Sequence, residues 1–375
     1  MGDSIVREQL RVLHAADLHL DSPFEALSAE KAALRRAEQR ALLGRIAELA
    51  RTREVDLVLL PGDLLDSGSS YRETAISLCD ALSRMEKPVF ISPGNHDWYS
   101  PRSPWARLEL PENVHVFTSG AISCVELPEL DAEVFGAAFT DESAPPLLRF
   151  FTPPEDPADH IRLLCLHGEV GSGEGKYDPI TEAERSRSGM HYAALGHSHA
   201  CSGLRRAGDV FYAWPGCAEG RGFDETGEKG VLLADVRRDG VTVQFVPVAA
   251  RRYHRMELKM EDAPSLIDAA LEKLPASAAR DAFLFTLTGE TPTPPDLDAL
   301  RAALEERVFA LRVRDETRPT ADVWAAAQED SLRGLFLRRL REKLDAAADA
   351  SEREELLLAL RFALAAMDNA EEPHA

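Results

Sequence analysis

The sequence predicts an α/β protein, in which a layered α/β sandwich over residues 1–248 precedes a small α+β domain and a helical segment. Up to about residue 91, short apolar runs alternate with helical patterns, and this alternation predicts parallel strands covered by helices. Beyond about residue 205, turn residues separate the apolar runs, as in antiparallel hairpins. After Arg318 and Pro319 the pattern is purely helical, so the expected domains are 1–248, 249–318 and 319–375.

The elements of the sandwich follow from hydrophobic periodicity and turn residues. The first five are strand Arg11–Ala16, helix Ala29–Thr52, strand Val55–Leu60, helix Arg72–Met85 and strand Pro88–Ile91. Three strands are predicted next, at Ile122–Leu127, Val134–Ala138 and Ile161–Leu166, followed by helices at Thr181–Ser188 and Tyr192–Leu195. Hairpin strands close the domain at Val210–Ala213, Gly230–Val236 and Val241–Val246.

The remainder of the chain predicts a strand–helix–strand–helix–strand order and then two amphipathic helices. These elements are Arg251–Met260, Pro264–Leu274, Phe283–Thr288, Pro295–Arg307 and Val308–Arg314, with a proline-rich loop at Thr291–Pro295. Leucine-rich stripes at every third or fourth position indicate the terminal helices, at Leu332, Phe336, Leu340 and Leu344 and at Leu357, Leu360, Leu364 and Met367. The stripes fit either a hairpin packed on the protein itself or a surface for a partner. Residues Asn369–Ala375 are expected to be disordered.

Composition limits the classes of function. The 375 residues carry a formal net charge of −21, which argues against tight non-specific DNA binding by this chain alone. It does not exclude a nucleic-acid substrate, because bound divalent metals invert the local field. The sequence has no run of eighteen apolar residues, no signal-peptide pattern and no CxxC pair among its five cysteines. We therefore expect a cytoplasmic protein without a membrane span.

Five short polar motifs each follow an apolar run. They are Asp17-Leu-His19, Gly62-Asp63-Leu-Leu-Asp66, Gly94-Asn95-His96-Asp97, Leu166-His167-Gly168 and Gly196-His197-Ser198-His199. Strand ends are where α/β sheets build their sites, so these side chains are expected in one cleft. The candidate metal ligands are Asp17, His19, Asp63, Asn95, His167, His197 and His199. Carboxylates, imidazoles and an amide suit Mn²⁺, Fe²⁺ or Zn²⁺, and seven ligands fit two ions about 3.5–4 Å apart better than one.

In this order, the five motifs resemble those of the calcineurin-like metallophosphoesterase superfamily over roughly residues 11–248. Two further segments resemble SbcD-like DNA repair exonucleases, in particular the YhaO type: His14–Phe24, and the glycine-rich stretch from Pro215 to Gly230. The resemblance implies a four-layer α/β/β/α sandwich with a small α+β cap domain and C-terminal helices.

The resemblance also implies roles for the motif residues. Asp17, His19, Asp63 and His199 would hold the first metal, and Asp63, Asn95, His167 and His197 would hold the second, with Asp63 bridging. His96 would contact the scissile phosphate, and Asp66 would orient His96. The two divalent ions would be Mn²⁺, with Fe²⁺ or Zn²⁺ as alternatives.

Three functions remain open at this point. The first is a DNA exonuclease or endonuclease subunit for DNA repair, which would dock an SbcC-like coiled-coil ATPase through its C-terminal helices. The chain has no phosphate-binding loop of its own, so ATP would act through that partner. The resemblance also allows a homodimer. The second is a phosphoesterase for small-molecule, nucleotide or phosphoprotein substrates, and the third is a non-catalytic scaffold.

Three polar residues near the motifs receive more modest interpretations. His14 precedes the first motif and is expected to be a hydrogen-bonded core histidine. Asp97 is expected to stabilise a local turn or a ligand rather than to bind metal. Arg221 fits either a phosphate contact or a solvated turn.

Overall fold

The computed structural model describes residues 7–153, 160–262, 265–291 and 295–368. The chain divides into two units, Met1–Arg252 and Tyr253–Ala375, which are described separately. In the part of the chain that the structure describes, no helix combines the length and the apolar character needed to cross a membrane.

The first unit contains twelve named strands and four α-helices in its described residues. The strands are β1 (Gln9–His14), β2 (Leu57–Leu60), β3 (Val89–Ile91), β4 (Val114–Val116), β5 (Ser123–Leu127), β6 (Ala132–Gly136), β7 (Ile161–His167), β8 (Tyr192–Gly196), β9 (Arg205–Ala207), β10 (Val210–Ala213), β11 (Gly230–Arg237) and β12 (Val241–Pro247). The helices are α1 (Ala29–Thr52), α2 (Arg72–Arg84), α3 (Pro104–Arg107) and α4 (Glu182–Ser186).

These strands form two six-stranded mixed sheets. The first has the order β12-β11-β1-β2-β3-β4, in which β1 to β4 are parallel and β11 and β12 are antiparallel additions. The second has the order β5-β6-β7-β8-β10-β9, with a parallel centre and antiparallel edge strands. The predicted hairpins are therefore present, although β10 also pairs in parallel with β8.

Three apolar clusters define the layers. Side chains such as Val12 and Leu59 from the first sheet pack against Leu163 and Tyr192 from the second, and this cluster fills the space between the sheets. Helices α1 and α2 cover the outer face of the first sheet. The outer face of the second sheet carries a thinner cover, made by connecting segments that include Leu148 and by α4, whose Arg185 lies over the Tyr212 ring. The four-layer α/β/β/α sandwich is thus confirmed.

One predicted element of the sandwich is wrong. The helix expected at Tyr192–Leu195 is instead the strand β8, which runs from Tyr192 to Gly196. Alanine and leucine favour a helix locally, but every residue of β8 is buried between the neighbouring strands β7 and β10. Burial on both faces of a parallel sheet explains why this strand lacks the alternating polar pattern.

The second unit begins with parallel strand–helix–strand connections. Its strands are β13 (Tyr253–Lys259), β14 (Ala282–Thr288), β15 (Glu290–Thr291), β16 (Ala310–Asp315) and β17 (Arg318–Pro319). Its helices are α5 (Leu266–Glu272), α6 (Leu297–Leu304), α7 (Ala321–Ala325), α8 (Leu332–Ala346) and α9 (Ala350–Asp368). Strands β13, β14 and β16 form a parallel sheet on which α5 and α6 pack.

Helices α8 and α9 form a separate apolar cluster with α7. Leu340, Leu344, Leu360 and Leu364 are buried there, as the leucine stripes predict, whereas Leu332 at the start of α8 is 76% exposed. The predicted loop at Thr291–Pro295 includes residues 292–294, which lie outside the described part of the chain, as do residues 369–375.

Candidate metal centre

The five motifs lie at the carboxyl ends of β1, β2, β3, β7 and β8, with His167 as the last residue of β7 and Gly196 as the last residue of β8. The loops after β1 and β2 run side by side, because the main-chain N–H of Asp17 donates to Gly62 O (3.1 Å) and that of His19 to Asp63 O (2.9 Å). The N–H of His197 in turn donates to the carboxylate of Asp17 (3.0 Å). Loops from both sheets are therefore joined at one place.

The candidate ligand atoms of these motifs form three clusters, two of which share His19. Within each cluster they lie no more than 4.8 Å from one another, and the clusters are Asp17 with His19 and His199, Asp63 with His167 and His197, and His19 with Asp66 and His96. Asp63 Oδ2 lies 3.8 Å from His19 Nε2 and 3.5 Å from His167 Nε2, which places this carboxylate between the first two clusters. All seven residues predicted as ligands thus meet in one region, since Asn95 Oδ1 lies 3.0 Å from His167 Nε2.

The backbone at this centre is strained. Asp17, His19, Asp63 and His197 have φ angles of 52°, 42°, 50° and 95°, a region that residues other than glycine seldom adopt. Each such residue costs on the order of 1–3 kcal/mol and persists only where the surrounding structure holds it in place. Asp97 supplies part of that support, and its predicted local role is confirmed: its buried carboxylate accepts hydrogen bonds from the main-chain N–H groups of Asp63, Leu64, Leu65 and Gly94.

The hydrogen bonds of His19 and His199 fix which nitrogen of each ring carries a proton. His19 Nδ1 lies 3.1 Å from Asp66 Oδ1 and donates to it. His199 Nδ1 lies 2.8 Å from Glu225 Oε1 and 3.3 Å from Arg221 Nη2, and the nearer carboxylate pairs with an N–H at this nitrogen. The Nε2 lone pairs of the two rings then face each other across 3.1 Å. Two lone pairs repel at this distance, whereas a cation between them would bind both.

The same reasoning applies to His167 in the second cluster. Its Nδ1 donates to the carbonyl of Pro61 (3.0 Å), which leaves an Nε2 lone pair directed at Asn95 Oδ1 (3.0 Å). His197 Nδ1 also lies 3.2 Å from that amide oxygen. His167 Nε2 and Asn95 Oδ1 are thus two acceptors that converge without a shared hydrogen, as the ligands of a divalent cation do, so the donor set fits metal ions in both clusters.

Burial sets the charge states of the ligands. It lowers the pKa of His19 to about 4 and that of His197 to about 4, so both rings are in the neutral form that binds metals. Burial and the adjacent Asp63 carboxylate raise the pKa of Asp17 well above its ordinary value. Burial also opposes ionisation of Asp63, but the nearby His167 and His19 hold its pKa below the ordinary value. A cation would stabilise both carboxylates in their ionised form.

His96 lies at the exposed rim of the centre. Its main-chain N–H donates to Asp63 Oδ1 (2.9 Å), and its ring Nδ1 donates to the main-chain oxygen of Asp66 (3.1 Å). The Asp66 carboxylate, expected from the resemblance to orient His96, instead accepts from His19 Nδ1 and from Arg221 (3.0 Å). The contact that orients the His96 ring therefore runs through the backbone of Asp66.

Two residues of the centre have roles that the motifs did not indicate. Glu225 was not singled out, because it lies in the turn that precedes β11 and belongs to none of the five motifs. Burial would raise the pKa of Glu225, but hydrogen bonds from His199 and Arg221 hold it well below the ordinary value. Arg221, which fitted a phosphate contact or a solvated turn, lies between the carboxylates of Glu225 and Asp66.

Other polar residues near the motifs fall outside the clusters. His14 is fully buried and contacts the Tyr192 hydroxyl (2.9 Å) and the Leu195 carbonyl (3.0 Å), so its interpretation as a satisfied core histidine is confirmed.

Beside the clusters an open cleft of about 500 Å³ is lined by residues that include His197, His199 and Lys229. The cleft leaves room for a substrate next to the candidate ligands.

Comparisons with known proteins agree with the family resemblance of the five motifs. A family model described as calcineurin-like phosphoesterase matches residues 10–201, which is more than half of the chain. The chain is 28% identical to the metallophosphoesterase YhaO of Bacillus subtilis (strain 168) over 348 residues, which cover 84% of this chain and 83% of YhaO. It is 28% identical to the DNA double-strand break repair protein Mre11 of Aeropyrum pernix over 277 residues, 69% of this chain and 66% of Mre11. It is 30% identical to the SbcD component of the nuclease SbcCD from Rhodobacter capsulatus over 162 residues, 42% of this chain and 34% of SbcD.

Proposed function

Because this chain belongs to the calcineurin-like phosphoesterase family, we propose that it is a two-metal-dependent DNA nuclease subunit that hydrolyses phosphodiester bonds in DNA repair. The resemblance found in the five motifs is confirmed, and membership of the family implies divalent metal binding. The observation that carries the proposal is the convergence of imidazole lone pairs and carboxylates, which two cations would satisfy.

Each side chain of the centre has a defined task in this proposal. Asp17, His19 and His199 would hold one ion, Asn95, His167 and His197 would hold the other, and Asp63 would contact both. Two bound Mn²⁺, Fe²⁺ or Zn²⁺ ions supply activation of water and stabilisation of charge on the phosphoryl oxygens. In the protonated, imidazolium form of His96, Nδ1–H donates to the Asp66 carbonyl and Nε2–H would be the proton donor to the departing oxygen.

The relatives favour DNA as the substrate. One is named a DNA double-strand break repair protein and another is named as part of a nuclease. The net charge of −21 instead favours the alternative, a phosphoesterase for small-molecule, nucleotide or phosphoprotein substrates, because an acidic surface repels the DNA backbone. The two functions differ in their substrates and share the same metal centre.

Cleavage assays with the purified chain separate the two functions. With Mn²⁺, the wild-type protein should cleave single- or double-stranded DNA oligonucleotides, and His96→Ala should lower the rate by roughly 10²–10⁴-fold while the bound metal is unchanged. His160→Ala is the matched control, since that half-exposed histidine lies near Glu133 and outside the three clusters. Efficient hydrolysis of bis-nucleotides or phosphomonoesters with DNA left intact would contradict the nuclease proposal.

We also propose that the helical segment 319–375 docks an SbcC-like coiled-coil ATPase, with 249–318 as a cap domain. Large apolar side chains are exposed in pairs along each terminal helix: Leu332 and Leu335 on α8, and Leu358 and Phe362 on α9. Residues three or four apart lie side by side on a helix, so each pair forms an apolar strip of the kind that a partner helix covers.

Charge substitutions test the docking proposal. Leu335→Glu combined with Phe362→Glu should abolish capture of such an ATPase and leave metal-dependent hydrolysis by the isolated chain unchanged. Ile76→Glu on α2 is the control, because that side chain is 60% exposed but lies outside the helical segment. Unchanged capture would contradict the docking site. Light scattering of the same samples measures whether the chain forms the homodimer that the resemblance implies.

A further inference from the structure

The two histidines of the first cluster each have a carboxylate behind them. Asp66 Oδ1 accepts from His19 Nδ1 (3.1 Å), and Glu225 Oε1 accepts from His199 Nδ1 (2.8 Å), a nitrogen that Arg221 Nη2 also approaches at 3.3 Å. His19, Asp66 and His199 come from the sequence motifs, whereas Glu225 comes from the turn before β11. The two pairs are related in geometry, because each carboxylate selects the tautomer that leaves Nε2 available.

Arg221 joins these two pairs through its guanidinium group. Its Nη1 donates to Asp66 Oδ1 (3.0 Å), and its Nη2 donates to Glu225 Oε1 (2.7 Å). Its main-chain N–H donates to Glu225 Oε2 (2.7 Å), so the turn that carries both residues is closed on itself. A planar guanidinium can serve two carboxylates at fixed angles, which a lysine ammonium cannot do in the same way.

The segment that carries Arg221 and Glu225 also holds the backbone of His199. The carbonyl oxygen of His199 accepts from Lys229 Nζ (2.9 Å) and from the N–H of Cys217 (3.3 Å). Lys229 is 7% exposed, so this bond is shielded from water. Gly216 has a φ of +79° and lies so close to His199 O that a Cβ at this position would be 2.7 Å from that oxygen. Residues 216–229 therefore hold His199 at both its ring and its carbonyl.

We propose that Arg221 and Glu225 are positioning residues that set the orientation and spacing of His19 and His199 for binding of one divalent cation. This inference rests on the metal centre of the proposed function and adds two residues outside its seven ligands. Glu225 fixes the His199 ring directly. Arg221 couples Glu225 to Asp66, so that a disturbance at either carboxylate reaches both rings. Partners of this kind change metal affinity by about 10–100-fold when they are lost.

Titration of the metal-free, full-length protein with MnCl₂ tests this role, with calorimetry and electron paramagnetic resonance as the two readouts. We expect two Mn²⁺ sites in the wild type, with the spectrum of an interacting pair. Arg221→Ala and Glu225→Ala should weaken one site by about 10–100-fold, leave the other in place and replace the pair signal by that of a single ion at low Mn²⁺. Arg221→Lys should also weaken that site, because a lysine keeps the charge but lacks the planar guanidinium that donates to two carboxylates at once.

The controls separate positioning from loss of fold. Arg149→Ala removes an arginine from another arginine–glutamate pair, with Glu184 at 3.1 Å, and should leave both Mn²⁺ affinities unchanged. Circular dichroism and the melting temperature of each metal-free variant report folding. If the alanine variants do not fold, Arg221→Lys and Glu225→Gln decide the question.

The outcomes distinguish this inference from the proposed function. A folded wild type without two Mn²⁺ sites would overturn the proposed function itself. Two sites in the wild type, with unchanged affinities in the Arg221 and Glu225 variants, would overturn the positioning role alone. Equal weakening of both sites together with a lower metal-free melting temperature would assign these residues to general stability and would also overturn it.

Discussion

At the scale of single residues, the candidate metal centre depends on close approach of backbones as much as on its candidate ligands. Gly196 ends β8, and a Cβ on this residue would overlap the carbonyl oxygen of Pro61 in the neighbouring loop. Pro61 O in turn accepts the hydrogen bond from His167 Nδ1. The absence of a side chain at Gly196 therefore lets loops from the two sheets meet around His167.

Replacing this glycine gives a residue-scale prediction. Gly196→Ala should lower the free energy of unfolding of the metal-free protein by about 1–3 kcal/mol, because backbone must shift to admit the methyl group. Gly240→Ala is the matched control, since a Cβ there would meet nothing within 4 Å. Urea unfolding measures both variants. Equal stability of the two variants would show that the backbone at Pro61 can move to admit the methyl group without loss of unfolding free energy.

At the scale of elements, the sequence indicated which polar residues meet in one place more directly than it indicated the strands that carry them. The motifs could be recognised because each is a short group of polar residues that directly follows an apolar run. β8 was predicted as a helix because Ala193, Ala194 and Leu195 favour one locally, and its strand state comes from pairing with β7 and β10, which no local window contains. Glu225 was missed for a related reason: its partner His199 is distant in sequence and is reached only in the fold.

β8 also makes a polar link between the two sheets. His14 on β1 contacts the Tyr192 hydroxyl and the Leu195 carbonyl on β8, in an otherwise apolar layer. Burial lowers the pKa of His14 to about 3, from an ordinary value of 6.5. Below pH 6.5 His14 is protonated in the unfolded chain, whereas in the folded chain it stays neutral down to about pH 3. The stability contributed by this residue above pH 6.5 is therefore lost as the pH falls from 6.5 toward 3.

A comparison of variants isolates this effect from the other histidines. The difference in unfolding free energy between the wild type and His14→Gln should shrink by about 2 kcal/mol between pH 8 and pH 5, because glutamine takes up no proton. Tyr192→Phe keeps His14 enclosed and should retain the pH dependence of the wild type. A difference that stays constant across this pH range would mean that the pKa of His14 is the same in the folded and the unfolded chain.

At the scale of the whole molecule, the fold class could be predicted because periodicity and motif order are properties of the chain as a whole. The individual hydrogen bonds between the loops could not be predicted, because they depend on how the two sheets pack face to face. Residues 15–22, 61–66, 92–97, 165–168 and 195–201 lie far apart in sequence, and the structure gathers them at one end of the sandwich. A ligand that binds all five segments at once should therefore stabilise them together.

Hydrogen exchange measured by mass spectrometry tests this collective response. Mn²⁺ at about 100 times its dissociation constant stabilises the bound state by about 2.7 kcal/mol, so exchange that requires opening of the centre should slow by roughly 100-fold. We expect slower exchange in all five segments and in residues 216–229, with no change in peptides from 265–291. Removal of the metal with EDTA should restore the original rates. Protection limited to one or two of the segments would mean that the seven ligands do not act as a single centre, and protection within 265–291 would mean that Mn²⁺ binds elsewhere.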